Sequence, residues 1–436
     1  MNEADSRALA ASLELRGYQA TDNPAEADWV ILNTCVVRHS AEQRALSRLQ
    51  TLAELKKRRP AMRIALMGCL VGVRPSPDLA RRFPFVDVFL PPSDTTRLLQ
   101  RLDLERGAFD PTEENTSTCH RMASTPPPAP VVYIPAVLGC SHACTYCIIP
   151  YRRGAERSRP RADILRDVRV AAERGAREVM LLGQIVDRYG ADRPGEGDLA
   201  DLLRDTAQTP GIVRIRFLTS HPSYLNDRII RAVAESPKIC PVFELPIQAG
   251  NNEVLAAMRR GYTREAYLAM LDRIRSLVPH AAIHTDIIVG FPGETEAQFQ
   301  DTVEIVRRAA FAKVHLAMYS PRPQTYAARH LPDDVPPEEK KRRHRLLEEL
   351  QKDIQARRNA ALKGQCVDVL VDGRDEKRGR WQGRTVDDRL VFFTSSRARP
   401  GDLISVRIEW TGPFTLIGAD AVETEKQSGG LSPAAL

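Results

Sequence analysis

The sequence predicts an α/β protein in three parts: a small parallel α/β sheet domain, a central partial (β/α)6 barrel, and a small antiparallel β-barrel at the C-terminal end. Three observations carry that prediction. From Val131 onward, short β-branched runs alternate with helical stretches six times over. A Ser/Thr/Pro-rich connector, ending in Pro126-Pro127-Pro128-Ala129-Pro130, divides this repeat from a shorter alternation before it. After Gly364 the pattern changes to short strands separated by turns. At 436 residues the chain is too long for one core. Its 43% hydrophobic and 27% charged content is that of an ordinary soluble protein, and no run approaches the roughly twenty apolar residues of a membrane span. The opening Met1-Asn2-Glu3 has neither a basic stretch nor an apolar core, so no signal peptide is visible. Eight cysteines in so large and polar a chain point to free thiols in a reducing cytoplasm rather than to a disulfide framework.

In the first domain, residues 1–104, an Ala/Leu-rich helix over 2–16 stops at Gly17. Trp29-Val30-Ile31-Leu32 reads as a buried strand, and Ser40 to Arg58 as a helix broken before Pro60. Strands follow at Ile64 to Met67 and Val86 to Leu90, which makes a parallel sheet with helices packed on it. Cys35 and Cys69 fall at strand ends, the edge where open α/β sheets bind ligands. Residues 105–130 form the connector and contain Cys119.

The central domain spans 131–362, with strands predicted at 131–137, 179–183, 213–218, 242–247, 282–289 and 313–319. Helices fall near 161–174, 197–208, 224–236, 263–277, 296–309 and 337–361. Right-handed crossovers curl such a sheet toward a barrel whose functional groups gather at the C-terminal ends of the strands. Alternation along His284 to Val289 puts His284, Asp286 and Ile288 on one face. Asp286 is then inside and needs a partner, either as a structural carboxylate or as a contact to a bound cofactor. Gln184 and Gln248 stand at strand ends in the same way, and the planar fork of Arg322 suits a carboxylate. A tight turn accounts for Gly290 and Gly293 without any ligand.

The last domain, 364–426, has strands at 366–371, 379–383, 389–394, 402–410 and 414–419, and residues 427–436 form a small polar tail. The net charge of +7 permits a polyanionic partner. Residues 364–420 carry nine basic and nine acidic side chains, so a local patch matters more than the total. Arg374, Lys377, Arg378, Arg380 and Arg384 cluster about one hairpin, as phosphate contact requires. Two further basic stretches are Lys340-Lys341-Arg342-Arg343, which reads as a solvated helix face, and Arg152 to Arg161.

The densest chemical signal is Cys140-Ser141-His142-Ala143-Cys144-Thr145-Tyr146-Cys147, directly after the apolar run Val131 to Leu138. Three thiols in eight residues are close enough to grip one metal centre. A structural zinc site wants a fourth ligand, for which only His142 or His120 is nearby; three reduced core thiols are the bland alternative. A four-iron cluster on three cysteines instead keeps one iron open for a ligand.

This spacing, with an aromatic before the last cysteine, resembles the radical S-adenosylmethionine enzymes. The runs Cys144 to Gly154, Ser158-Arg159-Pro160, Leu181-Leu182-Gly183-Gln184, Thr219-Ser220-His221-Pro222, Asp286 to Thr295 and Tyr319-Ser320-Pro321-Arg322 resemble the methylthiotransferase family within them. Gly383-Arg384-Thr385 and Pro413 to Gly418 resemble the RNA-binding TRAM domain. Asn33-Thr34-Cys35-Val36-Val37-Arg38 and Pro150 to Gly154 look closest to the branch that acts on isopentenyl-adenosine; sister branches act on threonylcarbamoyl-adenosine or on a ribosomal-protein aspartate. A protein of another class, a non-catalytic tRNA-binding module with a structural zinc, is the contrasting reading.

The resemblance implies a cytoplasmic, monomeric enzyme that inserts a methylthio group at C2 of N6-isopentenyl-adenosine beside the tRNA anticodon. Its partners would be the tRNA anticodon stem-loop and an electron donor such as flavodoxin or ferredoxin, with no membrane association. Cys140, Cys144 and Cys147 would hold a 4Fe-4S cluster that binds S-adenosylmethionine, with Tyr146, Gln184, Asp286 and Arg322 about that cofactor. Cys35 and Cys69 would hold an auxiliary 4Fe-4S cluster. Two departures stand out. The family opens with a strand and a Gly-Cys-x-Met-Asn turn whose cysteine is the third auxiliary ligand, and this sequence begins at Met1-Asn2. A start assigned too far downstream would explain it; without that ligand the auxiliary cluster is expected to be labile, the sheet edge unpaired and the first helix's apolar face uncovered. Glu244 stands where the family usually has His.

Overall fold

A computed structural model of the chain describes residues 1–37, 39–74, 77–105 and 129–423. Cys119, His120, most of the connector and the 427–436 tail lie outside the described residues. The described chain divides into two compact units. The first falls within Met1–Pro127, Val137–Arg159 and Ser320–His330; the second within Pro128–Ala136, Pro160–Tyr319 and Leu331–Leu436. This division differs from the expected boundaries. The cysteine loop packs with the first unit, and the central repeat and the small C-terminal barrel share the second.

In the first unit, strands Trp29–Thr34, Arg63–Gly68 and Val88–Leu90 form a parallel sheet with Arg63–Gly68 in the middle. Helix His39–Arg58 ends where Pro60 forbids continuation. Its Leu49 and Leu52 close one core with Ile64, Leu66, Phe83 and Val86. Helix Asn2–Glu14 covers the other side, where Leu9 packs with Ala65, Met67, Leu90, Leu98, Leu99 and Leu102. The expected bare helix face is therefore covered, because helix Thr96–Glu105 brings three leucines against it. Among the described residues, Trp29–Thr34 has one strand neighbour.

In the second unit, two three-stranded parallel sheets run Val131–Pro135, Glu178–Leu182, Arg214–Leu218 and Val242–Glu244, Ala282–Val289, Lys313–Met318. Ile215 joins them, donating to Lys238 O at 2.7 Å and accepting from Cys240 N at 2.9 Å. The six strands thus curl as the repeat predicts, and no pairing joins first to sixth among the described residues. Side-chain caps start the crossover helices: Asp198 and Thr295 make reciprocal capping boxes, and Asn226 and Thr263 cap theirs through Ile229 N and Ala266 N. Short helices at Asn252–Ala257 and Tyr326–His330 escaped the sequence reading, since five or six residues show no period.

The faces of Ala282–Val289 alternate as expected, with Thr285, Ile287 and Val289 fully buried. Asp286, expected to be buried, is half-buried along with Ile288, while His284 is buried. That face opens toward the strand's C-terminal end. The run Lys340 to Arg343 needs a correction too. Lys340 and Arg343, three apart on helix Pro337–Ala360, are buried; Lys340 pairs with Asp333 and Arg343 with Glu294 at 2.9 Å. Only the intervening pair is solvated. A Cβ at Gly290, which has φ 68°, would strike the Lys340 stem, so that glycine serves packing as well as the turn.

The strands Cys366–Asp375, Arg380–Arg384, Leu390–Thr394, Leu403–Thr411 and Leu416–Asp420 close a barrel over Val369, Val371, Val391, Phe393, Ile404, Val406 and Leu416. It is not antiparallel throughout: Leu390–Thr394 and Leu416–Asp420 pair in parallel. A 360° closure of five strands joins those two directly, and nothing in strand periodicity reveals which edges meet. The barrel is fastened to the central sheet by buried arginines. Arg214 donates to Arg384 O at 2.6 Å and Asp368 O at 2.9 Å, and Arg216 donates to Thr385 O at 2.8 Å. Arg216 also pairs with Glu178 at 2.9 Å, both side chains 3% exposed.

Two outcomes follow from this junction. Arg216→Met leaves the Glu178 carboxylate buried and alone, and should lower unfolding free energy by about 3–5 kcal/mol, whereas Arg216→Met with Glu178→Leu should recover most of the loss. Denaturant titration of both variants reads the difference; an equal loss in the double variant removes the pair as the cause. Burial also pushes the Asp372 carboxyl, at the bulge between Val371 and Gly373, up to about 6. A raised carboxylate stabilises the fold below its unfolded pKa and loses that contribution as pH rises from about 4 through about 6. Asp372→Asn should therefore stabilise the chain at pH 7–8, by about 1–2 kcal/mol after allowance for solvent screening, and gain nothing below about pH 4. Thermal unfolding across pH checks it.

Candidate functional site

The cysteine loop has little regular structure and is held by its backbone. The short strand Val137–Leu138 pairs antiparallel with Arg157–Ser158, which folds the loop back on itself. Gly139 sits at φ 70°, where a Cβ would overlap the Ala155 carbonyl and lie 2.7 Å from Gly154 O, so no other residue fits. Cys140 N donates to Gly154 O at 3.0 Å, Cys147 N to Cys144 O at 3.1 Å, and Ala327 N to Thr145 O at 2.8 Å. The amide of His142 donates to Cys140 Sγ at 3.4 Å. Cys140 is buried, Cys144, Cys147 and Tyr146 are half-buried, and no disulfide joins the three thiols among the described residues. Three thiolates on one fixed loop, one already taking an amide N–H as cluster sulfurs do, fit an iron–sulfur cluster with one open iron.

Cys35 and Cys69 come together as their positions at strand ends suggested. Thr34 and Gly68 are paired in register, so the two cysteines leave neighbouring strands side by side. Cys69 N donates to Thr34 O at 2.9 Å, and Gly68 at φ 94° has no room for a side chain against Thr34. Burial pushes the Cys69 thiol up, opposed by the charge and hydrogen bond of Arg153. Arg153 is a residue the sequence reading missed. It lies at the end of helix Ile149–Arg153, directly after the cysteine loop, and is buried, with Asp5 at 3.6 Å and Ser93 Oγ at 3.4 Å. The other two cysteines among the described residues differ. Cys366 is exposed, and Cys240 is buried with its thiol pushed up to about 11 by desolvation, so it stays a neutral thiol.

The basic stretch Arg152 to Arg161 is largely internal. Arg153 and Arg159 are buried, and Arg161 is held by Asp205 and Glu196, which leaves Arg157 as its exposed arginine. It makes a poor RNA-facing run.

In the second unit, Gln184 is half-buried beyond strand Glu178–Leu182. Gln248 is buried at φ 77° and ties Asp286 O and Ile288 N to its own backbone. Glu244, Asp286 and His315 present ligand atoms within 4.8 Å of one another. His284 Nδ1 and His315 Nε2 each stand 3.7 Å from Glu244. Burial raises the Glu244 carboxyl, but the His284 hydrogen bond and the charges of His284, His315 and Lys313 outweigh it and hold it below its usual range. The acidic residue found in place of His thus sits between two imidazoles and near the Lys313 ammonium. Arg322, in the first unit, is buried and pairs with Glu42 at 2.8 Å. Its fork engages a protein carboxylate where a ligand's was expected.

The five basic residues of the small barrel separate. Arg374, Lys377 and Arg378 are exposed at the hairpin turn, with Arg374 over the Trp381 ring at 5.8 Å and Arg378 over Phe392 at 4.6 Å. Arg380 is half-buried beside them, whereas Arg384, four residues or about 13 Å along the strand, faces the central barrel and pairs with Asp388. Exposed Trp410 and Phe414, 51% and 61% accessible, were not read from the sequence as binding groups. No helix among the described residues is long and apolar enough to cross a membrane.

With this geometry in hand, comparison with known proteins defines first the class. Residues 134–306 match the Radical SAM superfamily, and residues 1–91 match the Uncharacterized protein family UPF0004. The fold is shared with a cobalamin- and [4Fe-4S]-bound radical S-adenosylmethionine methyltransferase from Kitasatospora setae, at TM-score 0.53 and 14% identity over 74% of this chain and 73% of that one. Two curated proteins named tRNA-2-methylthio-N(6)-dimethylallyladenosine synthase are far more similar in sequence. That of Chloroflexus aurantiacus is 43% identical over 99% of this chain and 92% of its own length, and one from Dehalococcoides mccartyi is 42% identical over 95% of each. The chain belongs to the family of these radical SAM synthases.

The glycine makes a direct test of the loop. Gly139→Ala should reduce the iron and sulfide bound after anaerobic reconstitution several-fold while leaving far-UV circular dichroism unchanged, since the strain of about 1–3 kcal/mol falls on the loop alone. Full iron loading in the variant would show that the crossing is not needed.

Proposed function

We propose that the chain is a tRNA methylthiotransferase that inserts a methylthio group at C2 of N6-isopentenyl-adenosine beside the anticodon, with S-adenosylmethionine as methyl donor and radical source. The observation that carries the reading is identity above 40% to the curated synthases along nearly the whole chain, with three cysteines outside any disulfide on one pinned loop. In this reading Cys140, Cys144 and Cys147 hold the cluster. The bound cluster and S-adenosylmethionine supply the radical chemistry that an aromatic C–H, neither acidic nor electrophilic, requires.

The chain's own residues do the rest. The Gly139 crossing and the His142 amide fix the thiols; Tyr146 stands on the same loop, next to Cys147. Gln184, just beyond its strand, and Asp286, in the middle of its own, offer polar groups to the cofactor. Cys35 and Cys69 hold the auxiliary cluster, with Arg153 beside Cys69 as a positioning residue. The Glu42 pair makes Arg322 an orienting group for its segment. The exposed hairpin residues Arg374, Lys377 and Arg378, with half-buried Arg380 beside them, contact RNA phosphates, and a soluble cytoplasmic electron donor such as flavodoxin or ferredoxin completes the cycle.

Anaerobically reconstituted full-length chain should bind iron and release 5′-deoxyadenosine, and Cys144→Ala should abolish the release. With a two-cysteine auxiliary site the methylthio yield should be low, and nucleoside mass spectrometry should find what product there is on tRNA carrying isopentenyl-adenosine and none on tRNA carrying threonylcarbamoyl-adenosine. Zinc in place of iron, or product from threonylcarbamoyl-adenosine alone, would overturn the assignment.

A further inference from the structure

The second unit holds a cavity of about 250 Å³ where the central sheet, the long helix Pro337–Ala360 and the small barrel meet. Its walls carry Lys313, Arg358, Arg384 and Arg389, from four elements, together with Asp387 and Asp388. Both carboxylates are engaged. Asp388 pairs with Arg384 and Lys313, each at 3.3 Å, and Asp387 with Arg389 at 3.0 Å and the Thr385 hydroxyl. The turn carrying them is rigid: Thr385 N donates to Arg389 O at 3.0 Å, Arg389 N to Thr385 Oγ1 at 2.9 Å, and Asp388 is held at φ 69°.

The cations are in surplus. Arg358 has no carboxylate partner among the described residues; its one protein acceptor is Ala310 O at 3.3 Å. Burial is the largest cost to its charge, and the like charges of Arg389 and Arg275 add to it, while the Asp387 carboxylate opposes them. The Nη1 of Arg389 is buried with no hydrogen-bond partner. Guanidinium donors with open valences in one cavity are the complement of an oxyanion, and their planar forks favour phosphate. The volume is below that of pockets enclosing a whole small-molecule ligand, so the occupant is a group of phosphate size. At the rim lie Pro413 and the exposed ring of Phe414, and Trp410 stands close by with its own ring against Gly412. A cationic slot edged by an open aromatic face is how proteins hold a nucleic-acid strand, phosphate inward and base stacked.

We propose that this cavity is a phosphate subsite for tRNA, in which Arg358 and Arg389 take one backbone phosphate and Phe414 stacks an adjoining base. It rests on the tRNA reading above and places a grip away from the hairpin turn. The buried Arg214 and Arg216 bonds make removal of the small barrel a poor test, since truncation would strand both guanidiniums. Point variants of the full chain are the cleaner probe.

Binding of fluorescein-labelled tRNA transcript is measured by anisotropy across a potassium chloride series, with thermal unfolding as the check on folding. Arg358→Gln should lower the log–log salt slope by about 0.7–0.9 unit, as loss of one phosphate contact does. Phe414→Ala should weaken binding about tenfold at every salt concentration with the slope unchanged. An unaltered slope and affinity in Arg358→Gln, over a wild type that binds, overturns the subsite and leaves the tRNA reading standing. A wild type with no salt-dependent tRNA binding overturns both. Inorganic pyrophosphate distinguishes the remaining source: if it binds in an Arg358-dependent way without displacing tRNA, the cavity is a small-anion site and the proposal fails.

Discussion

The three thiols proposed to hold the cluster lie on a loop that has almost no secondary structure to hold it. The close passage of Gly139 against the carbonyls of Gly154 and Ala155 solves that problem, and much of the first unit is arranged about it. It lets Val137–Leu138 and Arg157–Ser158 pair, and the ladder closes the loop into a fixed turn. The same fold-back sets helix Ile149–Arg153, and through it the buried Arg153, against Asp5, Ser93 and Cys69. One backbone crossing therefore positions the primary cysteines and brings a cation to the second cysteine pair. A guanidinium held that deep acts by geometry and by field, neither of which the arginine-rich stretch Arg152 to Arg161 would suggest.

The second unit rests on a different economy of charge. Central barrels of this kind usually fill their interior with layers of branched apolar side chains. Here Arg214, Arg216, Glu178, Glu244, His284 and Lys313 occupy the strands instead, and the loop Arg384 to Arg389 of the small barrel supplies backbone acceptors and Asp388. Buried charges are tolerable only when paired, so the two barrels complete each other. Where the pairing runs out, at Arg358 and Arg389, the surplus is open to an outside anion.

Much of the architecture was legible in local pattern. Six alternations of apolar run and amphipathic helix gave the partial barrel because strand and helix periods are printed in every residue. The CxxxCxxC loop was legible for the same reason: all its ligands lie in one short span. Burial of charge was not. Lys340 and Arg343 looked like a solvated face, and Arg153 like part of an RNA-facing run, because their partners Asp333, Glu294 and Asp5 lie elsewhere in the chain.

The sequence by itself determined which residues are the candidates for the cluster chemistry, the order of the three folding patterns and the family to which they belong, since each is written in short-range spacing. The tertiary structure alone decided that the cysteine loop packs with the N-terminal sheet, that the small barrel closes through one parallel pair, and that Arg322 faces Glu42. It also decided that Arg384 leaves the hairpin cluster for a cavity shared with Arg358. Those outcomes depend on contacts between residues tens to hundreds of positions apart, and no local propensity records which distant partner a side chain will meet.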